Sequence, residues 1–310
     1  MAGGWRVPGA WHNPGWDSSR ASAVLTRTAP RTRHFVSLSP HGFHRVVYHE
    51  WGDPANERVV VCVHGLSRNG RDFDVLGEAL APTHRTLAVD MPGRGASQWL
   101  ADPNDYAFPT YLSALTALVA RSGAERVDWI GTSMGALLGI VMAAQPHSPI
   151  ARLVVNDAGP AIEPAALARI RDYVGLDPTF ASYAEAEAYI RTVSAPFGAL
   201  TDAQWEHLTR TTVAQRADGR WGLTYDPGIA VPFRASAAPV DLWPLWDAIR
   251  CPALLLRGAQ SDLLSQATAA AMTARGPKPH VVEFAGVGHA PMLLAPDQYE
   301  PVVEFLRAAG

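Results

Sequence analysis

Gly131-Thr132-Ser133-Met134-Gly135 sets a serine hydroxyl between two glycines, each two positions away. The residues before it, Val127-Asp128-Trp129-Ile130, read as a strand, and those after it, Ala136 to Met142, as a helix. A serine at the apex of a strand–turn–helix is held in a strained backbone conformation, so small residues must stand two positions to either side. That geometry exposes the Ser133 hydroxyl. It also aims the helix N-terminus, with its unpaired N–H groups and positive dipole end, at the same point. A nucleophile beside an anion site suits acyl transfer. The same five-residue pattern also marks ordinary tight turns, and the strand before and helix after it separate the two cases.

A serine hydroxyl is a poor nucleophile near neutral pH; it needs an adjacent base, and the base needs a third group to fix its tautomer. Of eleven histidines, His289 is the best placed, in Gly286-Val287-Gly288-His289-Ala290-Pro291 directly after the last strand-like run. A loop this rich in glycine can swing a side chain over strand ends. A serine on a turn of this kind is followed along the chain by the acid and then the base. Asp262, after the strand-like Ala253–Arg257, is therefore the expected acid. Asp157, after the preceding strand, is its rival; Asp247 lies upstream of its strand, at the wrong end. The oxyanion of a tetrahedral intermediate needs two aimed N–H groups. One is expected from Met134, which follows the nucleophile, and the other from Leu66 in the His64-Gly65-Leu66-Ser67 loop. His64 is expected to hold that loop by hydrogen bonds rather than to act as a second base.

These residues need a scaffold. Val59-Val60-Val61-Cys62-Val63 is a β-branched run of the kind found in strands buried on both faces of a parallel sheet. Further strands are expected over residues 43–51, 85–89, 127–130, 153–155, 253–257 and 280–284, with helices over 71–80, 111–120 and about 297–308. Strands alternating with helices imply a mostly parallel sheet covered on both faces, with ligands beyond the carboxyl ends of its strands. Each chemical candidate falls at such an end. The alternation stops over residues 161–247. There a helix is expected over 164–174, and Ser182-Tyr183-Ala184-Glu185 and Thr201-Asp202-Ala203-Gln204 read as capping boxes, the second flanked by a Leu200–Trp205 staple. This block reads as a helical lid inserted into a core of residues 34–160 and 248–310. Trp205, Trp221, Trp243 and Trp246 would line an apolar pocket or form the core of the block. Residues 1–33, rich in Gly, Pro, Ser, Arg and Trp, read as a flexible extension.

The 310 residues carry a formal net charge of −3, so no global basic field would draw nucleic acid or an anionic membrane. No apolar run is long enough to suggest a membrane span. Two cysteines, Cys62 and Cys251, do not suggest a disulfide framework and suit a cytoplasmic location. Gly93-x-Gly95 lacks the third glycine of a dinucleotide fingerprint. His41, His44 and His49 make no metal set, since His44 and His49 would face opposite sides of one strand. Neither cofactor nor metal is expected.

Taken together, His64-Gly65, Asp90-x-x-Gly93-x-Gly95-x-Ser97, the Gly131–Gly135 turn, Asp262 and Gly288-His289 resemble the α/β-hydrolase superfamily, in its serine-nucleophile branch with a helical lid. The resemblance spans residues 34–310. It implies an eight-stranded, mostly parallel sheet, a Ser133–His289–Asp262 triad and a structural Asp90. Haloalkane dehalogenases and soluble epoxide hydrolases resemble this layout but carry aspartate where Ser133 stands. Many carbon–carbon bond hydrolases carry tryptophan where Ala290 stands. The expected activity is hydrolysis of a small to medium carboxylic ester or lactone through an acyl-enzyme. The alternatives are carbon–carbon cleavage or acyl transfer on the same triad, and a non-catalytic small-molecule receptor.

Overall fold

The computed structural model describes residues 28–235 and 241–308. With strands numbered along the chain, one eight-stranded sheet runs in the order β1 (Arg31–Ser39), β2 (Gly42–Trp51), β4 (Arg85–Asp90), β3 (Val59–Val63), β5 (Val127–Thr132), β6 (Ile150–Asn156), β10 (Ala253–Gly258) and β11 (His280–Phe284). From β4 to β11 all neighbours pair in parallel; β2 is antiparallel to both β1 and β4. All five residues of β3 are buried. Val59, Val61 and Val63 join one apolar cluster and Val60 and Cys62 another, so strand alternation feeds a core on each face of the sheet. Helices α1 (Asp74–Leu80), α2 (Phe108–Ser122), α3 (Met134–Ala143), α9 (Gln266–Ala274) and α10 (Pro296–Arg307) complete the α/β alternation.

Strand β1 was not among the expected strands, and its first residues overlap the expected extension over 1–33. Arg31 to His34 are exposed, and only from Phe35 does burial alternate. Such an edge strand has no continuous apolar run to mark it. The rest of that extension, residues 1–27, lies outside the described residues.

Between β6 and β10 lie α4 (Pro164–Tyr173), α5 (Tyr183–Val193), α6 (Asp202–Thr212), α7 (Ala230–Ala235) and α8 (Trp243–Ala248). The block is not purely helical. A three-stranded antiparallel sheet, β7 (Thr179–Phe180)–β9 (Trp221–Leu223)–β8 (Val213–Gln215), interrupts it. Strands of two or three residues are too short to print a period on the sequence. The box opening α6 is complete: Thr201 N–H donates to Gln204 Oε1 (2.8 Å), and Gln204 N–H to Thr201 Oγ (3.3 Å). At α5, Ser182 accepts from Glu185 N–H (3.2 Å), but the Glu185 carboxylate reaches back to Ala181 N–H (2.9 Å). The chain enters and leaves the block side by side, with Ala161 bridged to Asp241 and Leu242 N–H donating to Pro160 O (2.7 Å).

Candidate active site

Ser133 sits between β5 and α3 at φ 53° and ψ −115°. The flanking glycines are demanded by close approach. A Cβ at Gly131 would lie 2.2 Å from Gly135 O, and one at Gly135 would lie 2.0 Å from Val63 O. Ser133 N–H donates to Asn156 O (2.9 Å), which pins the turn to the end of β6. The Asn156 amide donates to Thr132 Oγ (3.0 Å) and to Pro291 O (2.8 Å), so one buried side chain ties the serine turn to the histidine loop.

His289 Nε2 is 2.8 Å from Ser133 Oγ, and His289 Nδ1 is 2.8 Å from Asp157 Oδ2. A carboxylate can only accept, so Nδ1 carries the proton and Nε2 is free to accept from the serine hydroxyl. The loop that presents the ring is fixed on both sides: Gly288 N–H donates to Pro196 O (2.7 Å), and Gln260 N–H to Val287 O (2.8 Å).

Asp157, one residue past β6, is fully buried. Its Oδ1 accepts from Gly258 N–H (2.9 Å), and its Oδ2 accepts from the Ser261 hydroxyl (2.7 Å) as well as from His289. Three donors thus converge on a carboxylate that has no access to water. Asp262, the acid expected from the sequence, does not meet His289. Its carboxylate, about half exposed, takes a two-pronged bond from Arg169 of α4 at 2.6 and 2.9 Å. The turn after β10 explains the exchange. Ser261 N–H bonds back to Gly258 O (2.9 Å), so the Ser261 hydroxyl turns onto Asp157 and the next side chain faces outward. Asn156, Asp157 and Ser261 are thus site residues that the sequence reading passed over or ranked second. An Asn-Asp pair ending a strand was the available signal.

Of the two residues expected to supply N–H groups to an oxyanion, Met134 follows the serine directly and Leu66 follows Gly65. Met134 opens α3, where the helix has no acceptor for its N–H. The Gly65–Leu66 loop lies against the nucleophile, with a Cβ at Gly65 only 3.6 Å from Ser133 Cβ. His64 holds that loop, accepting Met91 N–H at Nε2 (3.0 Å) and donating from Nδ1 to Gly65 O (2.6 Å). Full burial pushes its pKa down to about 4, so the ring is neutral near pH 7 and cannot serve as a charged partner. Asp90 braces the next loop, accepting Gly70 and Ala96 N–H at 2.8 Å each and facing His49. Burial opposes its ionisation, but His49 and those N–H groups outweigh burial and hold the carboxyl below its ordinary value.

Of the tryptophans of the inserted block, Trp221 meets the Tyr183 ring edge-on and Trp243 lies under the Arg275 guanidinium. Trp246 is fully buried with its indole N–H on Arg275 O (3.1 Å), and Trp205 packs with Leu208, Met292 and Leu294. Both cysteines are free. Among the described residues no helix is long and apolar enough to cross a membrane.

A parallel sheet bearing a serine on its sharpest turn, with an imidazole and a buried carboxylate in line behind it, defines a hydrolase of the α/β kind. The "Alpha/beta hydrolase family" model matches residues 60–304, and the chain belongs to that family. It is similar to the 3-hydroxybutyrate-oligomer hydrolase of Cupriavidus necator, 47% identical over 290 residues that cover 91% of this chain and 99% of that one. Among solved structures it resembles an alpha/beta hydrolase from Novosphingobium aromaticivorans (37% identity, TM-score 0.81, 90% of this chain and 98% of that one). It also resembles a putative hydrolase from Rickettsia typhi (28% identity, TM-score 0.85, 91% and 100%). The protein is an ester-acting hydrolase of this family.

Proposed function

We propose that the protein cleaves the ester bonds of short 3-hydroxyacid oligomers through an acyl-enzyme on Ser133. The observation that carries this reading is the unbroken chain Ser133 Oγ–His289 Nε2 and His289 Nδ1–Asp157 Oδ2, each link 2.8 Å. Ser133 Oγ attacks the ester carbonyl as His289 Nε2 takes its proton. Asp157 keeps the ring in the right tautomer and stabilises the imidazolium. The Leu66 and Met134 N–H groups receive the oxyanion. His289 then protonates the departing alkoxide oxygen, which leaves as the alcohol, and a water activated by the same nitrogen releases the acid.

The substrate class rests on similarity to the Cupriavidus necator enzyme over nearly the whole of both chains. In such an oligomer both the acyl part and the leaving alcohol are 3-hydroxyacids, so one site can act repeatedly along the chain. The inserted block, hydrogen-bonded at Pro196 to the residue before His289, serves as the lid that selects substrate and excludes water.

The test is release of monomer from 3-hydroxybutyrate dimer and trimer, followed by chromatography beside an aryl butyrate. An organophosphonate should label Ser133, and Ser133→Ala should abolish both labelling and turnover. Aryl-ester turnover without oligomer cleavage would overturn the substrate class. Ester turnover surviving in Ser133→Ala would overturn the mechanism.

A further inference from the structure

Arg94 lies in the loop after β4 and is fully buried. None of its hydrogen-bond partners is a carboxylate. Nε donates to Leu66 O (2.8 Å), Nη1 to Pro92 O (2.7 Å) and to the Tyr111 hydroxyl (2.7 Å), and Nη2 lies 4.0 Å from Met134 Sδ. The Tyr106 and Tyr111 rings stand 5.6 and 5.0 Å from its Cζ. A buried cation without a carboxylate is costly to keep and calls for a reason.

Its contacts supply one. Leu66 and Met134, which Arg94 touches through a carbonyl and a sulfur, are the two residues whose N–H groups are proposed to receive the oxyanion. They belong to different elements, the loop after β3 and the first turn of α3. We infer that Arg94 is a positioning residue that sets the spacing of this donor pair, while its positive charge favours the negative oxygen that develops between them. The planar guanidinium fork reaches three directions at once, which a lysine ammonium on a single stem cannot do. The loop carrying Arg94 is itself held from the inserted block. Arg94 is bridged to Tyr225, Gly95 N–H donates to Thr224 O (2.8 Å), and Asp226 N–H donates to Gly93 O (2.8 Å). Asp226 also accepts from the Tyr106 hydroxyl at 2.5 Å. Docking of the block and alignment of the two donors are thereby linked through one side chain.

This inference rests on acyl transfer at Ser133, so its test uses an aryl ester whatever the natural substrate. Arg94→Met and Arg94→Lys are compared with the parent for kcat, KM and inhibition by a trifluoromethyl ketone, which mimics the oxyanion on a serine. Arg94→Met should lower kcat about 100-fold, with KM within about threefold, and weaken the ketone by a similar factor. Arg94→Lys should recover about tenfold of that loss, because the charge returns without the bond to Leu66 O. A folded Arg94→Met variant with kcat within about threefold of the parent, or with reduced kcat but unchanged ketone affinity, overturns the inference. If Arg94→Met does not fold, Arg94→Lys decides. A fall of about tenfold in both kcat and ketone affinity supports the role, and no fall in either overturns it. Turnover that persists in Ser133→Ala is a different result and strikes the parent reading instead.

Discussion

The ends of β6 and β10, neighbours in the sheet, each carry an aspartate, and the two have opposite fates. Asp157 follows β6 directly, is fully buried and collects three donors. Asp262 stands four residues past Gly258, half exposed, in an ion pair with Arg169 that is itself partly solvated. Two of the three donors to Asp157, the N–H of Gly258 at the end of β10 and the hydroxyl of Ser261 in the loop that follows it, come from the segment that leads to Asp262. The β10 loop therefore does serve the site, but as the support of its neighbour's carboxylate. An interior charge is tolerated only where donors converge on it. Convergence, not position along the chain, chose between the two acids.

The sharpest way to break this comparison is to remove each carboxylate in turn. Asp157→Ala should lower kcat about 10⁴-fold, and Asp262→Ala should stay within about threefold, both measured on an aryl ester. A larger loss from Asp262 would reverse the assignment. Ser261→Ala removes one donor from the interior carboxylate and should lower kcat about 10- to 100-fold with little change in KM. If steady-state kinetics found Ser261→Ala neutral, the support role of the β10 loop would fail.

The contrast between interior and surface extends to pH. His64 has its pKa depressed from 6.5 to about 4 by burial, so between those values the unfolded chain binds the extra proton. Stability must then fall on acidification, by about 2 kcal/mol from this group between pH 7 and pH 5. Urea melts at the two pH values bracket it, and His64→Gln should shrink the difference by about that amount while the part due to His84, which burial also lowers to about 4, stays. The smallest effect belongs to the surface. Asp262→Asn should change stability by less than about 1 kcal/mol, and that change should shrink in high salt. A larger, salt-insensitive change would show that the Arg169 pair matters more than its exposure implies.

Much of the framework was legible from local pattern. The β-branched run at Val59–Val63, buried throughout, announced a strand covered on both faces. The glycines at 131 and 135 announced a turn in which no Cβ could be accommodated. His289 was found because a glycine-rich loop after the last strand can reach over the strand ends and comes last in the order of serine, acid and base, and it stands 2.8 Å from Ser133. These features are short-ranged: a period or a forbidden Cβ is written within a few residues.

What escaped is of the other kind. β1 shows only partial alternation and takes its identity from pairing with β2. The three short strands of the inserted block exist only as partners of one another. Arg94 reads as one more loop arginine until Leu66 and Met134 are brought to either side of it. Residue types and spacing thus determined that this chain builds a parallel sheet with a serine and a histidine at its carboxyl rim. Only the tertiary structure decided which acid completes the pair, because desolvation and hydrogen-bond convergence on Asp157 depend on segments about a hundred residues away along the chain.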